Sequence, residues 1–279
     1  MTALERFAAF QDRIEEQQNR LFGPAGERDI WGGSLAGLFR FHPRRTLTPN
    51  LEAISQYLQP SDVFVDVGGG AGRVGLPMAL RCRELINVEP SPAMRAEFAA
   101  SAAEAGVENA RLVPDGWQGA EDVTGDVVFA ADVVYFIRDI EAFIRKMEAA
   151  ARRRVIIALW SVPPPSRDSH LFSLVYGEEQ APCAGHAELL AALWEMGILP
   201  DVRVLPEPAW WEMDLPATRE DAVEILLDSV WLEPADRQRA RDLFEAGFDG
   251  LFRSTPDGYL PLWRGPCPMK ELLITWLTG

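Results

Sequence analysis

Hydrophobic and polar positions change their period several times along this chain of 279 residues. Leu4, Phe7, Phe10 and Ile14 recur near helical spacing and predict a helix over 3–20. Shorter helical patterns follow near 29–40 and 48–58. From residue 62 the period switches. Val63, Val65 and Val67 sit in an apolar run that suits a buried parallel strand. Further runs at Leu85–Glu89, Ala110–Val113, 126–136 and Arg154–Trp160 alternate with helical stretches such as Asp139–Ala150. Ser91 before Pro92 predicts a capped helix start. Strand and helix in alternation predict an α/β fold with a parallel, doubly wound sheet. Pro163-Pro164-Pro165 stops regular structure. Beyond it the pattern predicts a helix near 186–196, a strand near 201–206, two helices within 217–247 and a last strand over Lys270–Leu277.

One window carries most of the chemistry. Val63 to Arg73 reads strand, acid, glycines, helix start. Gly68, Gly70 and Gly72 allow a tight turn and a close approach of backbone to a ligand. The next helix aims its first N–H groups at whatever lies above the loop. Asp66, at the end of a buried strand, requires a partner, because an unpaired charge there is expensive. Backbone N–H groups of the loop, or a cationic ligand, would serve. Two ligand classes fit. Gly70, Gly72 and Gly75 satisfy G-x-G-x-x-G, the dinucleotide fingerprint, with Glu89 near the distance of a ribose-binding acid. That pattern implies an NAD(P)-dependent oxidoreductase.

The run Asp66-x-Gly68-x-Gly70-x-Gly72 instead resembles the first motif of class I S-adenosylmethionine (SAM) dependent methyltransferases. A carboxylate beside a sulfonium and an ammonium makes chemical sense; beside a pyrophosphate it does not. The resemblance covers about residues 46–160 closely and extends loosely to the end. It implies a seven-stranded sheet whose last strand is antiparallel, and SAM as the methyl donor. It also implies donor-binding roles for Asp66, Gly68, Gly69 and Gly70 at the first strand. Glu89 would take the ribose hydroxyls, with Pro90 and Met94 flanking the adenine. Asp115 would meet the adenine amino group, with Gly116 and Trp117 beside the ring. Ala130 and Ala131 would lie next to the methionine part. Many relatives carry a polar or aromatic residue where this chain has Ala131. A non-catalytic SAM-binding module is a third reading of the same motifs.

In this frame 1–45 reads as an N-terminal helical cap and 46–279 as the SAM-binding domain. Residues 161–185 and 207–250 read as substrate-side or peripheral additions. Phe22, Trp31, Phe39, Phe41, Phe172, Tyr176, Trp210 and Trp211 are candidate walls of a pocket for a small organic acceptor. Methyl transfer to oxygen or nitrogen is an in-line displacement, aided by a base when the acceptor is a hydroxyl. Of His42, His170 and His186, the substrate-side His170 is the first choice of base. Tyr135 and Tyr176 are placed to orient an acceptor. A formal charge of −15 opposes a nucleic-acid substrate. The exception is the basic run Arg152-Arg153-Arg154, which reads as a helix C-terminus. Cys82, Cys183 and Cys267 are scattered and predict no metal site. No apolar stretch is long enough to span a membrane, and the N-terminus lacks a signal-peptide core, so a cytoplasmic protein is expected.

Overall fold

Local signals set most element boundaries. The computed structural model describes residues 1–23, 35–208, 215–230, 232–263 and 269–279. Trp31, Trp210, Trp211, Cys267 and the first part of the expected 29–40 helix lie outside the described residues. A capping box between Thr2 and Glu5 opens α1 (Ala3–Phe22). After α2 (Leu35–Leu38), Thr48 caps α3 (Pro49–Ser55), with proline at its first position. The alternating core follows as β1 (Val63–Val67), α4 (Gly75–Ala79), β2 (Glu84–Val88), α5 (Pro92–Ala105), β3 (Ala110–Val113) and β4 (Gly125–Ala131). Next come α6 (Ile140–Ala150), β5 (Ala151–Trp160), α7 (Pro164–Arg167), α8 (Ser169–Tyr176), α9 (His186–Glu195) and β6 (Asp201–Pro208). The chain closes with α10 (Arg219–Ser229), α11 (Arg237–Ala246), α12 (Phe248–Leu251), the hairpin β7 (Phe252–Thr255) and β8 (Gly258–Pro261), and β9 (Lys270–Leu277).

Seven strands form one sheet in the order β3-β2-β1-β4-β5-β9-β6. The first five are parallel, and β9 runs antiparallel between β5 and β6. Period-two alternation then divides the side chains. Val63, Val65 and Val67 face a core shared with α6 and α9. Phe64, Leu85 and Phe129 face a second core shared with α3, α4 and α5. Asp66 falls on this second face, since it alternates in step with Phe64.

The helix α1 is a brace on the first face. Phe7 is fully buried in that core, and Gln11 donates to the Tyr135 carbonyl. Arg138 grips Asp12, and Arg20 makes a two-pronged pair with Glu178. Separately, α8, α10, α11, α12 and the β7–β8 hairpin enclose a small core of their own around Leu226, Phe244 and Phe248.

The run Arg152–Arg154 departs from expectation. The helix α6 ends at Ala150, and the three arginines lie in β5. They are spent on the fold: Arg152 pairs with Asp126, Arg153 with Asp62, and Arg154 donates to Thr275. A helix-end basic spot open to nucleic acid is therefore absent there.

Gly72 shows how tightly the first turn is packed. Its φ is 83°, and a Cβ would stand 2.6 Å from Leu76 Cγ and 2.8 Å from the Phe98 ring. Gly72→Ala adds left-handed strain to an overpacked contact, costs of about 1–2 and 1–3 kcal/mol. Urea unfolding of the ligand-free protein should show a loss of about 2–5 kcal/mol. A loss below about 0.5 kcal/mol would mean that the turn opens freely.

Candidate active site

Where the parallel strands end, the loops after β1, β2, β3 and β4 surround a cavity of about 470 Å³. This is within the usual range for small-molecule sites, about 300–1,000 Å³, and at their usual place in an open α/β sheet. The loop after β1 forms its floor. Gly68 N–H donates to the Val88 carbonyl, Gly70 N–H to Glu89 Oε2 at 2.9 Å, and Asn87 Nδ2 to the Gly70 carbonyl at 3.2 Å. Three bonds thus fasten the loop to β2.

Beneath that loop, register decides the chemistry. Asp66 on β1 stands beside Asn87 on β2, both on the α4 face. A Cβ on Gly69 would come within 2.7 Å of the Asp66 carboxyl and closer still to Asn87 Oδ1. Only glycine fits over this polar pair. Asp66 Oδ2 and Asn87 Oδ1 are buried and make no hydrogen bond. Burial pushes the Asp66 carboxyl up to about 7; Arg73 opposes this and Glu89 adds to it.

Glu89 is buried and held at both oxygens, Oε2 by Gly70 N–H and Oε1 by Ser91 N–H at 2.7 Å. Its carboxylate lines the cavity beside Pro90 and Met94. On the β3 side, Trp117 is 6% exposed and donates its indole N–H to the Phe143 carbonyl. Lys146 lies over the same ring, so the indole plane is fixed from behind.

The opposite wall follows β4. Asp132 has φ 61°, a left-handed backbone that aspartate tolerates better than most residues. The turn carries Val133 across Gly68 and starts a 3₁₀ turn at Val134–Phe136. Asp132 Oδ2 pairs with Arg73 at 3.2 Å. Burial pushes the Asp132 carboxyl up to about 7, Arg73 lowering it and Glu271 raising it. Glu271, buried at the start of β9, accepts from Asn50 Nδ2 and is likewise raised by burial.

Asp66, Gly68, Gly69, Gly70, Glu89, Pro90, Met94, Gly116, Trp117 and Ala131 all line this cavity. Two of the expected donor contacts do not. Asp115 is exposed and folds back to accept from Gly116 N–H. Ala130 points away, into the first core, because the strand alternates. Neither proposed catalytic side chain reaches the cavity. His170 is exposed on α8. Tyr176 belongs to the small core, with its ring against Phe172 and Phe22 and its hydroxyl on Asp236. Tyr135 is buried, and its hydroxyl accepts from Trp160 N–H. His42 accepts from Arg44 N–H in a turn, and His186 begins α9. The sequence reading did not single out Asn87, Arg73 or Asp132 for the site. Among the described residues no group of acids, histidines and cysteines is arranged to hold a metal ion, and no helix is long and apolar enough to cross a membrane.

The dinucleotide reading loses its support here. Gly72 and Gly75 are required by packing, against Leu76 and Phe98 and against Asp66 and Leu85, and neither lines the cavity. Comparison with known proteins points the same way. Residues 65–159 match the methyltransferase domain family. No curated protein matches the chain significantly. Among solved structures, the YcgJ protein of Bacillus subtilis superposes with a TM-score of 0.54 at 16% identity, covering 82% of this chain and 97% of its own. The magnesium protoporphyrin IX methyltransferase of Synechocystis PCC 6803, with bound S-adenosylhomocysteine (SAH), gives 0.50 at 12% identity over 97% and 100%. Coclaurine N-methyltransferase, bound to N-methylheliamine and SAH, gives 0.52 at 12% identity over 99% and 87%. At such identities the structures establish the fold, and the family match covers the strands that build the cavity. The chain thus carries a methyltransferase domain, residues 65–159, within the fold of the solved SAM-dependent methyltransferases.

Proposed function

We propose that this protein transfers the methyl group of SAM to a small organic acceptor, at nitrogen or oxygen, inside the cavity above β1 and β4. The observation that carries this reading is a division of the cavity wall. Its β1–β2 side holds Asp66, the glycine loop and Glu89; its β4 side carries Asp132, paired with Arg73, and beyond them the apolar Val133, Phe136 and Ile137.

The residues present fit SAM. Asp66 has a buried oxygen without a hydrogen bond, and a cationic amino-acid end would supply its partner. Gly69 leaves room where any side chain would intrude on Asp66 and Asn87, and Gly70 holds a left-handed φ of 54° that favours glycine. Glu89 has two carboxylate oxygens to match vicinal ribose hydroxyls. Trp117 and Met94 offer apolar surfaces to a purine. SAM supplies an electrophilic methyl on a positively charged sulfur. The protein's part is to hold donor and acceptor in line and to keep water out. Phe39, the residue of the first 45 that lines the cavity among those described, serves the second task by packing near Ala71 and Met94. The acids lining the cavity and the formal charge of −15 favour a small molecule over nucleic acid.

Calorimetry with SAM, SAH and NADH tests this directly. SAM and SAH should bind and NADH should not; binding of NADH alone would overturn the reading. Glu89→Gln should weaken SAM by about 1.5–3 kcal/mol, the scale of a hydrogen bond to a charged group. An affinity within a factor of about two of the parent, roughly 0.4 kcal/mol, would remove Glu89 from the ribose.

The raised carboxyls set a pH dependence. Asp66 and Asp132 hold protons in the folded protein up to about 7, whereas unfolded they ionise near 4. Ligand-free stability should therefore fall as pH rises from about 4 to 7. A cationic donor favours ionised Asp66, so SAM affinity should rise over the same window and level off above it. Titration calorimetry in two buffers of different ionisation heat should detect proton release near pH 6. A flat affinity from pH 5.5 to 7.5 would contradict this account of Asp66.

A further inference from the structure

The cavity holds more acids than a methyl donor can use. Among its described lining residues are three carboxylates, Asp66, Glu89 and Asp132, and one guanidinium, Arg73. Arg73 also acts on buried Glu271, so it is shared among Asp66, Asp132 and Glu271. Arg45 lies behind it, packed on Phe41 and donating to the Arg73 carbonyl, and is not part of the lining. Under the methyl-transfer reading, on which this inference rests, the donor accounts for two of the acids. Its ammonium end answers Asp66, and its ribose answers Glu89. Asp132 is left, on the β4 side, between Arg73 and the apolar residues Val133 and Phe136.

Its position is set by an unusual backbone rather than by a strand. Asp132 takes a left-handed φ of 61° and donates its N–H to the Ala158 carbonyl. About a quarter of its side-chain surface remains open, 28%, with the Trp160 indole beside its carboxyl and Arg73 on Oδ2. A non-glycine residue held in a sparsely populated conformation at a cavity wall is a reason to ask for a function. Residue 131, which is Ala131 here, offers no polar group, and Asp132 adjoins Val133, the first apolar residue of this wall in the chain.

From these facts we infer that the acceptor is an amine, and that Asp132 binds it and takes its proton. The amine enters as an ammonium ion, whose charge answers the surplus negative charge of the cavity. One N–H proton passes to the Asp132 carboxylate. The freed nitrogen lone pair then attacks the methyl carbon of SAM. A C–N bond forms, the C–S bond breaks, and its electron pair stays on sulfur, giving neutral SAH and a methylated ammonium. Charge balances, with one positive charge before and after. A carboxyl raised to about 7 by burial is suited to accept that proton near neutral pH. An anionic acceptor would face three acids against a single guanidinium, and a phenol would leave the surplus acid in place. Arg73, held between acids, is already committed.

Binding to the SAH-loaded protein tests this without knowledge of the natural acceptor. The probes are 2-phenylethylamine, 2-phenylethanol and phenylacetate, which match in size and differ in charge. Affinity is read from protein NMR shifts. The amine should bind the parent at least about tenfold more tightly than either of the others, the worth of one charge-assisted hydrogen bond. In Asp132→Asn, which tolerates the left-handed backbone, the amine should weaken by about tenfold or more while SAH affinity stays within about twofold. Equal or tighter binding of phenylacetate or phenylethanol, no binding of the amine, or an unchanged amine affinity in the variant overturns the proposal. The comparison among probes on the parent stands even if the variant fails to fold. Failure of SAH itself to bind is seen before any probe is added, and it would overturn the methyl-transfer reading instead.

Discussion

The carboxyl of Asp66, buried at the end of β1, is the constraint around which the rest of this site is arranged. A charge in that place is unfavourable unless something answers it. The chain does not answer it fully. Asn87 sits at the same register on β2 with its own oxygen unsatisfied, and Gly69 covers both without a side chain. The three bonds that fasten the glycine loop to β2 keep this arrangement open toward the cavity. A protein selected only for stability would place an apolar residue at position 66. The retained acid, raised to about 7 by burial, is a cost in the free protein that a cationic ligand offsets.

Around this centre the fold distributes labour by strand order. The crossover that places β4 beside β1 brings Asp132 to the same cavity as Asp66, Arg73 and Glu89, although they come from different loops. Packing on the two faces supports them. Tyr135 ties the turn after β4 to the end of β5 through Trp160 N–H, and α1 presses on that turn through Gln11 and Phe7. The separate core around Phe244 and Phe248 adds a layer remote from the floor of the site, and it absorbs Tyr176.

Much of this was legible in the sequence because it is local. The strand–glycine–helix order from Val63 to Arg73, the acid at Glu89 and the cap at Ser91 are each set within a few residues, and the parallel core follows from their alternation. Asn87 was readable in principle: a polar residue in an apolar strand, two positions before Glu89 and so on its face. The same holds for Thr255-Pro256-Asp257-Gly258, a turn signal between two short apolar runs that the structure folds into β7 and β8. Other features depend on long-range packing. Nothing near His170 says that α8 turns it outward, and nothing near Tyr176 says that Phe22 and Asp236 will claim it. Arg152 to Arg154 look like a helix end until β5 is known to begin at Ala151, where register brings them to Asp126, Asp62 and Thr275. Asp132 stood in view as a charge within an apolar run, but its role depends on Arg73 and on a backbone turn that no spacing announces.

Stability and binding pull in opposite directions at Asp66. Thermal unfolding of Asp66→Asn at pH 8, without and with saturating SAM, measures both at once. The variant removes a buried charge and keeps the shape. It should melt above the parent when ligand-free and should gain much less from SAM than the parent does. A variant that melts lower than the parent and is stabilised by SAM as strongly would show that Asp66 serves the fold and not the ligand.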